Sequence, residues 1–337
     1  MLRKASYFEP LIDNKVRCLL CPNLCLLSEG KIGKCGVREN INGVLYTLIY
    51  NQVASLAVDP IEKKPVYHYK PGSSVLSAGT VGCNLKCRHC QNWELSRSSS
   101  QNESLRDITP HQLINTALKT NSKGVSWTYN EPSIWFEYVI ESAKIAKENN
   151  LYTVMVTNGF IREKPLSELL KYLDVYRVDI KAFTQNSFKI ITGISDVKIP
   201  MASALQARES GTHVEIVTNI ITTINDTEDE IRSIATFISE KLGEKTPWHI
   251  TRFFPYLDFS YLPPTPLPSL IKAREIGKEC GIEFIYIGNT WESLEENSLC
   301  SQCGSVAIRR SGFEVYEVNV SEKGGCKSCG EYLNIYP

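Results

Sequence analysis

Three cysteines within eight residues constrain the fold and chemistry of this chain more than any other feature. Cys83, Cys87 and Cys90 have a C-x3-C-x2-C spacing in one short loop. Three thiolates can hold three corners of a cubane [4Fe-4S] cluster. Because a complete set of protein ligands would be four, one iron would remain open for chemistry. The preceding Ser74–Thr80 has the composition of a short strand that leads into the loop. The alternatives are a zinc knuckle and a chance spacing, and later features of the chain disfavour both.

The remaining cysteines also occur in groups. The chain contains twelve cysteines, and Met1–Tyr7 lacks the apolar segment of a signal peptide. Disulfide frameworks belong to small secreted domains, so metal binding fits this 337-residue chain better. Cys280 stands alone at the end of a predicted helix and is interpreted as a small buried hydrophobic residue. The two groups of four are Cys18, Cys21, Cys25 and Cys35, and Cys300, Cys303, Cys326 and Cys329.

The first group of four lies in residues 1–73, which we predict to be an N-terminal metal-binding segment with a linker. Its C-x2-C-x3-C-x9-C spacing contains Pro22, Gly30 and Gly33, and glycine lets a backbone wrap closely around an ion. Four thiolates suit a closed zinc site or a second iron–sulfur cluster. The spacing does not decide between them, although zinc is narrowly preferred. Gly43–Tyr50 is predicted to be a strand that joins this segment to the core.

The linker at the end of this segment is Asp59–Tyr69, in which prolines introduce turns. It is interpreted as a segment that docks on the following domain. The alternative is a lid that carries Lys63, Lys64 or His68 toward an active site.

Strand and helix patterns alternate between residues 74 and 295. The helices include Ser133–Glu148 and Thr227–Leu242, and the second opens with the capping-box pair Thr227 and Glu230. Repeated strand-then-helix units predict a parallel sheet with helices outside. About six units fit, fewer than the eight of a closed barrel, so the predicted fold is α/β: an incomplete (β/α)6 barrel. The predicted strands are Ser74–Thr80, Gly124–Tyr129, Tyr152–Thr157, Val175–Lys181, His213–Ile221, Trp248–Phe254 and Glu283–Ile287.

Polar residues occupy the carboxyl ends of these strands, where a barrel of this kind has its active site. A carboxylate there can accept hydrogen bonds from an ammonium group. Alternation places Asp179 and Lys181 on the same face of their strand. One such residue could be only a turn or a cap, but six successive strand ends are harder to explain in that way. The residues are Asn130, Glu131, Thr157, Asn158, Asp179, Lys181, Thr218, Asn219, His249, Arg252, Asn289 and Thr290.

Residues 296–337 are predicted to form a small C-terminal metal module. Two C-x2-C-G knuckles flank the strand-like runs Ser305–Arg309 and Phe313–Val320. This pattern resembles a zinc ribbon or rubredoxin, and it predicts one ion held by four thiolates, with zinc preferred over iron. A module of this size needs its metal to fold.

Charge and hydropathy disfavour two classes of partner. Lysine plus arginine equals aspartate plus glutamate, at 37 each, so bulk charge gives no support for nucleic-acid binding. No apolar run reaches the roughly 20 residues that cross a bilayer, and a cytoplasmic location is expected. The competing function is a non-catalytic zinc-binding adaptor or nucleic-acid-binding module. That reading explains both groups of four cysteines, but it does not explain the group of three.

Taken together, the motifs resemble the radical SAM enzyme of the AmmeMemoRadiSam system, a family related to the pyruvate-formate-lyase activating enzymes. The resemblance covers nearly the full length of the chain. It rests on Cys18–Gly36, Pro60–Pro65, Gly79–Glu94, Thr128–Pro132, Thr157–Gly159, Asp179–Lys181, Pro247–His249 and the terminal knuckles.

The resemblance implies a role for each motif at the carboxyl ends of the strands. Cys83, Cys87 and Cys90 would bind a [4Fe-4S] cluster whose open iron chelates the amino and carboxylate groups of S-adenosylmethionine (SAM). His89 stands where the superfamily commonly has an aromatic residue beside the adenine. The remaining implied cofactor-binding residues are Asn130 and Glu131, in place of a Gly-Gly-Glu that contacts the methionyl amine, and Thr157, Asn158, Asp179 and Lys181.

The implied reaction begins with an electron from a donor such as ferredoxin or flavodoxin. SAM is then cleaved reductively, and a 5′-deoxyadenosyl radical abstracts a hydrogen from a substrate, with a protein or peptide slightly favoured. Memo-type and AMMECR-type proteins are implied partners. The chain departs from the activating enzymes at Val156, where they have an aspartate, and at Leu257, where they have a histidine. Glycyl-radical activation is therefore the less favoured reaction.

Overall fold

A central sheet of eight strands organises the computed structural model, which describes residues 2–101, 104–290 and 296–337. We number the strands of this sheet β1 to β8 in chain order. They are β1 (Ser55–Pro60), β2 (Ser74–Gly79), β3 (Gly124–Trp127), β4 (Tyr152–Thr157), β5 (Val175–Asp179), β6 (His213–Ile220), β7 (Trp248–Arg252) and β8 (Ile285–Gly288).

The order of strands in this sheet follows the order of the chain. From β2 to β8 each neighbouring pair is parallel, whereas β1 pairs antiparallel with β2. Each strand from β2 to β7 is followed by a helix before the next begins, and β8 adds one further parallel strand. The predicted parallel sheet with six strand–helix units is therefore present. Among the strand pairings of the described residues, none joins β1 to β8.

Helices follow the strands at the predicted places and begin with recognisable caps. The Thr109 side chain accepts a hydrogen bond from the backbone of Gln112, and Thr227 does the same for Glu230. The predicted Ser133–Glu148 helix consists of a 3-10 turn, Pro132–Trp135, and an α-helix, Phe136–Glu148. The α-helices are Trp93–Ser96, Pro110–Lys119, Phe136–Glu148, Glu163–Leu170, Gln185–Thr192, Lys198–Glu209, Glu228–Phe237 and Leu267–Glu279. None of the helices in the described ranges is long and apolar enough to span a membrane.

The N-terminal segment contains small antiparallel sheets that pack on the central one. The predicted strand over 43–50 is shorter, Val44–Thr47. Apolar residues of this segment, such as Val37 and Leu45, belong to the same buried core as Trp127 on β3. The short strands are Arg3–Lys4, Phe8–Pro10, Val16–Cys18, Leu26–Leu27, Arg38–Ile41, Val44–Thr47 and Gln52–Val53, the last pairing with Arg106–Asp107.

The C-terminal module is a three-stranded antiparallel sheet of Ser298–Leu299, Val306–Ser311 and Glu314–Val318. The predicted hairpin is present with strand ends shifted by up to two residues. The expected boundary of this module, after residue 295, falls beside 291–295, which lie outside the described residues.

The C-terminal module is joined to the linker before β2 by backbone hydrogen bonds. The backbone N–H of Lys70 donates to the Tyr336 carbonyl at 2.7 Å, and the N–H of Tyr336 donates to the His68 carbonyl at 2.8 Å. The buried side chain of Arg310 donates to the Tyr67 carbonyl of the linker. The linker and the module therefore form one wall beside the sheet.

Candidate functional site

A cavity of about 770 Å³ opens at the carboxyl ends of the parallel strands. All ten residues predicted to bind the cluster or SAM line it. They are Cys83, Cys87, His89, Cys90, Asn130, Glu131, Thr157, Asn158, Asp179 and Lys181. The sequence motifs, which span about a hundred positions, therefore meet at a single cavity.

The loop that carries the three cysteines is held in place by the loop after β3. Asn130 accepts a hydrogen bond from the Thr80 backbone N–H at 3.1 Å and donates to the Gly82 carbonyl at 2.9 Å. Asn92, beyond the last cysteine, donates to the Tyr129 carbonyl at 2.8 Å. Tyr129 has a left-handed backbone with φ of 75°, which is strained for a bulky residue. Asn130 therefore positions the cysteine loop from a neighbouring strand end.

The three sulfurs lie in surroundings that disfavour free thiolates. Burial raises the pKa of Cys83 well above its usual value. Burial also raises the pKa of Cys87 to about 11, although the Lys181 charge opposes this rise. The Cys83 sulfur lies 3.7 Å from the Asn158 amide nitrogen, and the Cys90 sulfur lies 3.3 Å from the Ser96 hydroxyl. Since only thiolates bind metals well, a metal cation at this place would stabilise the ionised sulfurs.

Glu131 is the buried acid of the cavity and is held by three neighbours. Its carboxylate accepts hydrogen bonds from the Thr157 hydroxyl at 2.7 Å and from the backbone N–H groups of Asn158 and Ser133 at 2.7 and 2.9 Å. Burial raises the pKa of Glu131, and these hydrogen bonds oppose the rise. Thr157 and Asn158 are thus brought to Glu131. The Asn158 amide nitrogen also donates to the side-chain oxygen of Asn84 at 2.9 Å, which connects Glu131 with the cysteine loop.

Asp179 and Lys181 form an ion pair on the next strand end, as their spacing predicted. The Lys181 ammonium lies 2.8 Å from one carboxylate oxygen, and Arg177 contacts the other. Burial alone would raise the pKa of Asp179, but the charges of Arg177 and Lys181 outweigh it, so the pKa is lowered. Asp179 is therefore an anion with two cations beside it. One is the Lys181 of the sequence motif, and the other is Arg177.

Arg177 is a site residue that the sequence reading missed. It is buried on β5 two positions before Asp179, lines the cavity, and its Nε has no hydrogen-bond partner among the described residues. The available signal was the alternation that places residues 177, 179 and 181 on one face. A basic residue in the middle of the otherwise apolar run Val175–Val178 marks a buried charge.

His89, between the second and third cysteines, lies nearly parallel to the Phe259 ring, with centroids 6.2 Å apart. Its Nδ1 is buried without a hydrogen-bond partner in the described part of the chain. Burial, aided by the Lys181 charge, lowers the pKa of His89 to about 3. The imidazole is therefore neutral near neutral pH and presents a flat, uncharged surface.

The linker before β2 contributes a fixed wall. Glu62, Lys63 and Lys64 line the cavity, and the Lys64 ammonium lies 2.6 Å from Asp59. Asp59 also accepts a hydrogen bond from the Tyr129 hydroxyl at 2.8 Å. The linker thus packs against its neighbours, as the docking interpretation expects. It also places Lys63 and Lys64 at the cavity, as the alternative lid interpretation expects.

His68, the third residue of that alternative, is buried behind the wall. Its Nε2 lies 2.7 Å from the Tyr286 hydroxyl, and its backbone N–H donates to Glu215 at 2.8 Å. Glu215, which the sequence reading missed, also contacts His213 and His249 at 3.0 and 2.6 Å. The carboxylate therefore anchors the linker to β6 and β7.

The C-terminal group of four cysteines has the spacing of a single-ion site. The sulfurs of Cys300 and Cys329 lie 3.6 Å apart, and those of Cys303 and Cys326 lie 3.8 Å apart. All four ligand atoms lie within 4.8 Å of one another. The N-terminal group, Cys18, Cys21, Cys25 and Cys35, instead lines a second, small cavity. Cys280 is partly buried, with its sulfur 3.8 Å from the Thr236 hydroxyl.

Comparisons with known proteins agree with this geometry. A model of the radical SAM superfamily matches residues 78–238. The chain is 38% identical over 335 residues to an uncharacterized protein of Methanocaldococcus jannaschii, with 99% of each chain covered. It is 28% identical over 183 residues to the pyruvate formate-lyase-activating enzyme of Clostridium pasteurianum, covering 50% of this chain and 72% of that enzyme.

A solved structure shares the fold at low identity. A radical SAM methyltransferase from Sphaerobacter thermophilus matches with a TM-score of 0.52 at 12% identity, covering 69% of this chain and 70% of the other. This similarity concerns the α/β architecture around the parallel sheet.

Proposed function

The chain belongs to the radical SAM superfamily of enzymes, and from this premise we propose that Cys83, Cys87 and Cys90 bind a [4Fe-4S] cluster at which SAM is reductively cleaved. We propose further that the reaction removes a hydrogen atom from a substrate in the cavity. The observation that carries this proposal is that one cavity collects the three cysteines and seven polar residues from three strand ends and the cysteine loop.

The donor set of the cavity fits both groups. Three buried or half-buried thiols supply fewer than the four ligands of a closed cluster, which leaves a position for SAM. The buried Nδ1 of His89 and Nε of Arg177 have no hydrogen-bond partners in the described residues, so polar groups of a bound molecule would satisfy them. When bound, the cluster and SAM supply a one-electron cleavage that ends in removal of a hydrogen atom from the substrate.

The residues around the cysteine loop bind and orient these groups. Asn130 holds the loop through Thr80 and Gly82, so its role is positioning. Glu131 supplies negative charge for the methionyl amine. Lys181 supplies positive charge for the methionyl carboxylate.

Two further residues complete the proposed SAM site. Asp179 holds Lys181 in place through their ion pair. The neutral ring of His89 borders the adenine, where a charged imidazole would be costly to bury.

The linker and the C-terminal module define where the substrate lies. Glu62 and Lys64 on the linker line the cavity, as do Gly312 and Phe313 of the module. Phe313 is 51% exposed, and an exposed aromatic side chain that lines a cavity suits contact with another chain. A protein or peptide substrate is therefore favoured.

The proposed role within the superfamily is that of the radical SAM enzyme of the AmmeMemoRadiSam system. One of the motifs that carry the resemblance to this family, Pro60–Pro65, supports the proposal. Three of its residues, Glu62, Lys63 and Lys64, line the cavity. Memo-type and AMMECR-type proteins are then the proposed partners. Reductive cleavage of SAM consumes one electron, so a low-potential electron donor such as ferredoxin or flavodoxin is the proposed source of the electron.

Anaerobic reconstitution tests the reaction. The protein is loaded with iron and sulfide, SAM and dithionite are added, and 5′-deoxyadenosine is measured. We expect product from the native chain and from Cys280→Ala, whose thiol lies outside the cavity, but none from Cys87→Ala. Absence of product from fully loaded native protein, or equal product from Cys87→Ala, would refute the enzyme assignment and favour the zinc-binding adaptor.

A further inference from the structure

The four N-terminal cysteines surround a small enclosed space rather than a single point. Cys18, Cys21, Cys25 and Cys35 line one cavity together with Arg38. This cavity lies apart from the larger one at the strand ends, and no residue of the reaction proposed above lines it.

Each of the four sulfurs receives a backbone hydrogen bond. The N–H of Lys34 lies 3.5 Å from the Cys25 sulfur. Three further bonds of this kind run from Leu20 to Cys18, from Asn23 to Cys21 and from Val37 to Cys35. Backbone N–H groups aimed at sulfur stabilise thiolates, whereas burial raises the pKa of Cys18, Cys21 and Cys35, so four ionised sulfurs at this cavity need a metal cation beside them.

The spacing of these sulfurs excludes a single ion in the present arrangement. Zinc–sulfur bonds of about 2.3 Å in a tetrahedron place the sulfurs about 3.8 Å apart, as the C-terminal group has them. Among the described Cys, His, Asp and Glu residues, the C-terminal group is the only set of three or more whose ligand atoms all lie within 4.8 Å. The N-terminal sulfurs are therefore too widely spaced for one zinc.

A wider separation is what a cluster requires. In a [4Fe-4S] cluster each thiolate binds a different iron, so the sulfurs stand farther apart than ligands of one ion. The space between them is filled by iron and inorganic sulfide. Four thiolates that line one cavity, and whose sulfurs do not all lie within 4.8 Å of one another, suit this arrangement.

Arg38 provides a cation at the wall of the same cavity. It is 1% exposed, and one of its terminal nitrogens lies 2.6 Å from Glu137. The other, Nη1, is buried with no hydrogen-bond partner in the described part of the chain. A buried guanidinium with a free N–H is costly unless it faces an anionic group such as a thiolate-bound cluster.

We propose that Cys18, Cys21, Cys25 and Cys35 bind a second [4Fe-4S] cluster, whose four irons are all held by the protein, and that Arg38 stabilises its negative charge. This differs from the zinc that spacing in the sequence narrowly preferred. The site adjoins the first one, because Cys21 belongs to the same buried apolar cluster as Cys83.

Acid-labile sulfide measures the second site separately, because a single ion at the C-terminal cysteines carries no sulfide. The chain with Cys83→Ala, Cys87→Ala and Cys90→Ala together is reconstituted anaerobically with iron and sulfide. We expect about four sulfides per chain to remain in this triple variant. Adding Cys21→Ala and Cys25→Ala should remove them, whereas adding Cys280→Ala, as a matched control, should leave them.

A triple variant that is folded by circular dichroism, contains no labile sulfide and binds two zinc ions would overturn the proposal. If the triple variant does not fold, the native background gives the same answer. There, Cys21→Ala with Cys25→Ala should lower sulfide from about eight to about four per chain, and an unchanged value would overturn the proposal. Formation of 5′-deoxyadenosine is scored separately, so failure of either site is seen independently.

Discussion

Gly82 packs directly against Cys35: a Cβ atom at position 82 would lie 2.5 Å from the Cys35 carbonyl oxygen. Gly82 immediately precedes the first cysteine of the three-cysteine loop, and its backbone is left-handed with φ of 86°. The N-terminal four-cysteine segment and the three-cysteine loop thus meet backbone to backbone at one residue without a side chain.

Gly82→Ala should therefore destabilise the protein beyond the cost of its backbone conformation. A left-handed alanine costs about 1–2 kcal/mol, and the contact with Cys35 adds a required shift of backbone. Gly211→Ala is the matched control, because Gly211 has φ of 83° and nothing within 4 Å of an added Cβ. Urea unfolding measures both, and equal losses of unfolding free energy would contradict the proposed role of the contact.

Glu137→Gln should lower the unfolding free energy by about 3 kcal/mol, since it leaves the buried Arg38 without its anionic partner. The Arg38–Glu137 pair is 2.6 Å long, with side chains 1% and 5% exposed. The surface pair Arg232–Glu279 has a similar length, 2.8 Å, but both side chains are about half exposed. Glu279→Gln should therefore leave stability unchanged within error, and a similar effect of both variants would contradict this expectation.

Acid should destabilise the protein through His68. Burial lowers the pKa of His68 to about 3, although the charge of Glu215 opposes this shift. The unfolded chain binds a proton as pH falls below about 6.5, whereas the folded chain does not, so stability is lost as pH falls from about 6.5 toward 3. One proton accounts for at most about 1.4 kcal/mol per pH unit.

The comparison of His68→Gln with the native chain between pH 6.5 and 5 checks this linkage. The variant should show a shallower decrease of unfolding free energy with acidification. His111→Gln, at an exposed position of the Pro110–Lys119 helix, is the control and should keep the native slope. Identical slopes for all three proteins would show that His68 does not carry the effect.

If the C-terminal cysteines bind one metal ion, as the spacing of their sulfurs allows, its removal should unfold the module around it. Cys300 and Cys326 belong to the small apolar core of this module, and a module of this size depends on its metal. We expect Cys303→Ser to lose one metal equivalent by elemental analysis and to lower the melting temperature. Cys280→Ser should do neither, and retention of the metal by Cys303→Ser would contradict a four-thiolate site.

The sequence was most informative where chemistry depends on local spacing. Cys83, Cys87 and Cys90 share one loop, and Asp179 and Lys181 share one strand face, so their proximity follows from chain geometry alone. The parallel sheet followed from the alternation of strand and helix patterns. Positions at strand ends were therefore predictable to within a few residues.

Contacts that join distant segments were not predictable. Glu215 meets the backbone of Tyr67 and His68 almost 150 positions earlier, and no periodicity encodes such a pair. Asn130 lines the cavity and stays a predicted cofactor-binding residue, whereas the hydrogen bonds by which its amide holds the cysteine loop had no signal in the sequence. The pattern identifies which residues reach the cavity, whereas packing decides which of their polar atoms remain available.

The backbone pairing of residues 68–70 with Tyr336 has a consequence for the order of assembly. A contact between His68 and the Asn334 carbonyl in the same place spans 266 positions, and contacts of such long range form late in folding. During synthesis the linker emerges long before its partner, so the part of the wall around residues 68–70 is completed only after residues 334–336 arrive. A chain interrupted before that point would carry the three-cysteine loop in a cavity whose wall lacks its C-terminal side.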